Sequence, residues 1–117
     1  MLEGIRQSEG EDDEAFLLRA ERVMKMENDQ IRERARLLLA AAVNRFDKAE
    51  AAPGADDKLR QMIKGASSSY VAVRACLLAR SLCREMMATS TGPDPVAENA
   101  YQLLSRLVLE ALRDHRP

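Results

Sequence analysis

Few side chains in this sequence have the types and spacing that chemistry requires. One histidine, His115, stands two residues from the end, and there is no Trp. The two cysteines, Cys76 and Cys83, are seven positions apart. On one helix that spacing separates their backbones by about 10 Å, too far for a disulfide within the helix. A zinc site draws on about four Cys, His or carboxylate ligands, and His115 is the only imidazole to join the thiols. Both cysteines are therefore expected as small core residues. His115 follows Arg113 and Asp114, and a cation at a helix C-terminus is favourable in itself. A catalytic base would also need an orienting partner and a pocket. Lys64-Gly65-Ala66-Ser67 has the residue types of a phosphate loop, but it lacks the spaced glycines and the preceding strand. Helix capping accounts for it. Glu85 or Glu98 could act with Ser67–Ser69 only if a pocket gathered them, and nothing in the spacing calls for one. No catalytic residue, cofactor or metal is assigned.

The arginines offer more. Val73, Leu77, Arg80 and Arg84 follow one another at intervals of four, three and four, which aligns them along one helix face. That face lies away from the Ala-rich arc of the same segment. An apolar centre flanked by guanidinium groups has the composition of a contact surface. These four residues are assigned as the partner-binding stripe. The competing reading is that another helix covers Val73 and Leu77 and leaves the arginines as a solvated rim. Leu37 and Leu109 are further apolar residues on otherwise polar faces.

The expected function is a non-enzymatic protein–protein interaction domain, an adaptor, regulatory or assembly module, with a homodimer in view. A small nucleic-acid-binding regulator is the alternative. Arg32, Arg34, Arg36, Arg45 and Lys48 raise that second reading, but they do not share one face. Phosphate binding favours a coherent basic strip and a high pI, whereas the pI here is about 5.9.

A chain of 117 residues, 46% hydrophobic and 32% charged, has the size and composition of one folded domain. The longest apolar run, Leu37 to Val43, is two helical turns and too short for a bilayer core of about 30 Å. The start, Met1-Leu2-Glu3-Gly4, does not read as a signal peptide, so an intracellular protein is expected. Charge is uneven: residues 1–30 sum to −5 and residues 31–90 to +5. Residues 1–11 are read as a flexible acidic arm, with the acids at 11–14 complementing a helix start.

Apolar residues recur with a helical period and nowhere alternate with period two. Helices are predicted at about 12–27, 29–51, 56–87 with a kink near 65–69, and 94–114. Phe16, Leu17, Ala20, Val23 and Met24 would face the core from the first, with Glu21 opposite. Asn28-Asp29 can cap the second but does not force a break. One continuous helix of about 39 residues is thus an open alternative. Asp56 is the expected cap of the third helix, and Asp94-Pro95 the start of the last. The fold class is all-α: an antiparallel bundle of four helices, three if the first two are continuous, with sequential helices side by side.

Overall fold

Helices begin in this chain where a side chain or a turn takes up the first free amides. Asp12 Oδ1 accepts from the Ala15 amide at 2.7 Å and opens α1 (Asp13–Val23). Asn28 Oδ1 accepts from the Ile31 amide at 2.9 Å and opens α2 (Asp29–Asp47). Asp94 does the same for the Ala97 amide at 3.1 Å, with Pro95 in first position, at the head of α5 (Pro95–Asp114). The entry to α3 (Ala55–Lys64) differs: Gly54 takes a φ of 79°, and its carbonyl accepts the Lys58 amide at 2.9 Å. Asp56, the expected cap, sits instead within the first turn and pairs with Arg45 at 2.9 Å. The remaining helix is α4 (Ser69–Thr89).

The computed structural model describes residues 5–24, 28–47, 54–64 and 69–114. Among them the protein is an all-α bundle without strands, and its helices number five rather than four. The segment expected as one kinked helix over 56–87 is divided into α3 and α4. Of the kink expected near 65–69, residues 65–68 lie outside the described residues, as do Lys48 and His115. The joint between the first two helices is a true break. Met24 is the C-cap of α1, its amide bonded to the Ala20 carbonyl at 2.9 Å, and Asn28 caps the helix that follows.

The central element is α4, which touches each of the other four helices. Its Ala72, Val73, Ala75, Cys76, Leu77, Ala79 and Cys83 are all buried. Arg80 lies near both Tyr101 and Ser105, and Cys76 lies near the Leu104 carbonyl, so α4 and α5 form an antiparallel hairpin. The largest interfaces are those among α2, α4 and α5. Along α3, the pairs Asp56–Arg106 and Arg60–Glu110 show that it runs in the same direction as α5.

Sequential neighbours are not always the main spatial ones. The first helix packs more on α4 and α5 than on α2. It buries Phe16, Leu17, Ala20 and Met24 but leaves Val23 63% exposed, because Glu21, not Val23, turns inward. Nor is the segment before it a free arm over its described part. Ile5 is buried, Arg19 donates to the Arg6 carbonyl at 2.6 Å and to Glu11, and Arg113 donates to Gln7 at 3.1 Å. Gly10, at φ 82°, supplies the turn that closes Glu11 onto the Ser8 carbonyl.

Candidate functional site

The predicted contact stripe is not on the surface. Val73 and Arg80 are fully buried and Leu77 nearly so. Only Arg84 keeps substantial exposure, 38% of its side chain. This corrects the expectation of an exposed apolar centre. The stripe is already occupied, and for its arginines the occupant is α1.

Arg80 is the centre of the arrangement. A guanidinium withdrawn from water is costly unless its donors find acceptors, and α1 and α5 supply them. Nε donates to Glu21 Oε1 at 3.0 Å, and Nη1 donates to Glu14 Oε2 at 2.7 Å. From α5, Tyr101 Oη accepts from Nη1 at 2.7 Å and Ser105 Oγ at 3.3 Å. Nη2 lies 2.9 Å from Glu21 Oε1 but makes no aligned hydrogen bond, so that contact is ionic rather than directional. The guanidinium carbon also sits 4.8 Å from the Tyr101 ring centre, within range of a cation–π contact.

Arg84, one turn further along α4, completes the cluster. Its Nη2 donates to Glu21 Oε2 at 2.8 Å, and its Nη1 donates to Glu21 Oε1 at 3.1 Å. The Tyr101 hydroxyl in turn donates to Glu14 Oε1. Two carboxylates on α1 thus face two guanidinium groups on α4, with two hydroxyls of α5 as further acceptors for Arg80 Nη1. The formal charge cancels. Glu21 is well covered, at 14% side-chain exposure, whereas Glu14 keeps 49%.

Three members of the cluster, Glu14, Tyr101 and Arg84, are shifted by it. Burial raises the Glu14 carboxyl, but hydrogen bonds from Tyr101 and Arg80 outweigh it and hold the group below its ordinary range. Burial and the bond to Glu14 push the Tyr101 phenol up. The bond to Glu21 raises Arg84 further. Each shift deepens the form already present at neutral pH. Tuning a general acid or base would require the reverse. The cysteines follow the same rule, since burial pushes Cys76 to about 12 and Cys83 to about 11. Among the described residues no three His, Cys, Asp or Glu side chains gather in a way that could hold a metal ion.

Sequence reasoning placed Arg80 and Arg84 together but missed Glu14, Glu21, Tyr101 and Ser105. The signal was present in spacing: Glu14 and Glu21 are two turns apart, while Tyr101 and Ser105 are one turn apart. An apolar arc through Val23 puts Glu21 on the outer face.

The other surface assignments divide. Leu37 is 53% exposed, as expected of an apolar residue on a polar face, but Leu109 is buried, which corrects that expectation. The exposed arginines of α2 lie beside acids one turn earlier, Arg32 against Asp29 at 2.7 Å and Arg36 against Glu33 at 4.0 Å. No helix among the described residues is long and apolar enough to cross a membrane. Compared with protein-family models, curated proteins and solved structures, this chain matches none of them.

Proposed function

We propose that this protein is a non-enzymatic interaction module of the helix-in-groove kind. Its receptor surface is the α4–α5 hairpin, and its ligand is an amphipathic helix carrying two carboxylates seven residues apart. One observation carries the reading: a fully buried Arg80 draws both of its carboxylate partners from a single short helix of 11 residues. Helices laid in grooves are read through anchors at such spacings. Phe16, Leu17 and Ala20 would be the apolar anchors of the resident helix, and Glu14 with Glu21 its polar register. An intracellular setting fits two free, buried thiols.

A resident helix competes with any incoming one at an effective concentration in the millimolar range. Trans binding should therefore be weak in the native chain and stronger when the resident contacts are loosened. The test is fluorescence anisotropy of a labelled peptide spanning residues 11–24, titrated with the full chain and with its Glu14→Gln/Glu21→Gln variant. The expected outcome is saturable binding, at least tenfold tighter to the variant and weakened by salt. The same peptide with Gln at positions 14 and 21 should bind at least tenfold less well. A peptide that binds neither protein removes the groove as a receptor.

A further inference from the structure

We infer that α1 is exchanged between two copies of this chain, each copy laying its α1 into the α4–α5 groove of the other. The inference rests on the groove reading above and names its occupant. The helix that demonstrably fits Arg80 and Arg84 is α1 itself, and a second copy presents the same helix to the same groove. Charge complementarity is met in full, two carboxylates against two guanidinium groups.

Three features make the exchange inexpensive. First, α1 packs more on α4 and α5 than on α2, while the largest interfaces lie among α2, α4 and α5. Withdrawing α1 therefore leaves the principal interfaces in place. Second, the sequence from Glu11 to Ala52 contains neither Gly nor Pro. The break rests on Met24, which leaves the helical region at φ −95° and ψ 17°, and on the Asn28 cap. Replacing that break by continued helix would fuse α1 to α2 and direct α1 away from its own groove. Third, every contact α1 makes in its own groove can be remade in the partner's. The balance between closed monomer and exchanged dimer thus depends on the joint, which is the general basis of domain swapping.

That dependence separates exchange from any ordinary interface. Asn28→Ala removes the cap and adds a strong helix former. By light scattering on the full chain it should raise the dimer association constant at least tenfold over the native protein. Glu21→Gln, added to Asn28→Ala, weakens the docking equally in monomer and dimer. The dimer fraction should then change by less than about twofold, while dissociation of the isolated dimer on dilution becomes at least tenfold faster. Leu37→Ser should alter neither quantity. An Asn28→Ala protein that stays monomeric at millimolar concentration overturns the exchange. So does a dimer that equilibrates within seconds, or one that Leu37→Ser abolishes. If the peptide of the preceding test still binds in those cases, the groove stands and only its proposed occupant is lost.

Discussion

Arg80 Nε lies 3.0 Å from Glu21 Oε1 across a chain separation of 59 residues. That contact joins the first helix to the centre of the bundle, and it is made by a side chain with no exposure at all. Breaking a buried ion pair from one side leaves the other charge uncompensated, at a usual cost of about 3–5 kcal/mol. Here Arg84 still faces Glu21, and Glu14 is half open to water. Arg80→Leu should therefore destabilise by about 3 kcal/mol, the lower end of that range. Glu14→Gln should cost about 1 kcal/mol, because Glu14 is half exposed and the amide oxygen can still accept from Arg80. Urea unfolding of the two variants measures both. An Arg80→Leu protein as stable as the native one would mean that the cluster contributes nothing beyond filling space.

The acid response should begin at the same helix. Hydrogen bonds from Arg19 and the Ser8 backbone hold the Glu11 carboxyl down to about 2. Glu14 is also lowered, its hydrogen bonds from Tyr101 and Arg80 prevailing over burial. A carboxyl whose folded pKa is depressed stabilises the fold above its unfolded pKa. That contribution is lost as pH falls toward the folded value. For Glu11 the window runs from about 4.5 down to about 2. Amide exchange followed by NMR should show residues 13–23 losing protection within that window before α4 and α5 do. Loss of protection in all the helices at once would show that α1 is not an independent unit.

Much of this architecture could be read from periodicity, and the part that could not has a common cause. The Asp12, Asn28 and Asp94 caps are local signals, decided within one turn of chain. They lie where the residue types place them. The inward turn of Glu21 is a non-local fact: it depends on an arginine 59 positions away. A helical wheel treats a charge as an outward residue and a valine as an inward one, so it reversed Glu21 and Val23. The same rule puts Arg80 on an outward contact stripe. Burial of paired charges cannot be read from one helix, because neither partner has an inward preference until the other is present.

The thiols should be inert in the folded chain. Cys76 is fully buried, with its sulfur 3.5 Å from the Leu104 carbonyl, and burial raises its pKa to about 12. Cys83 is buried too and raised to about 11. Since the thiolate is the reactive form, a disulfide reagent at pH 8 should modify neither residue on the timescale of minutes. Both should react at once in denaturant. Prompt reaction of the native protein would imply an opening of α4 from its neighbours well below the global unfolding energy.

Leu77 decides between the two roles its position allows. On a contact surface its truncation would leave stability unchanged and weaken association. In the bundle it is 3% exposed and belongs to the main apolar cluster. Leu77→Ala removes buried methyl groups and leaves a cavity that the packed helices can only partly fill. The expected loss is about 2–4 kcal/mol. Val23→Ser, on a residue 63% exposed, should change stability by no more than about 0.5 kcal/mol. Thermal unfolding of the two variants side by side gives the comparison. Equal midpoints would place Leu77 outside the core, and with it the stripe that leads to Arg80.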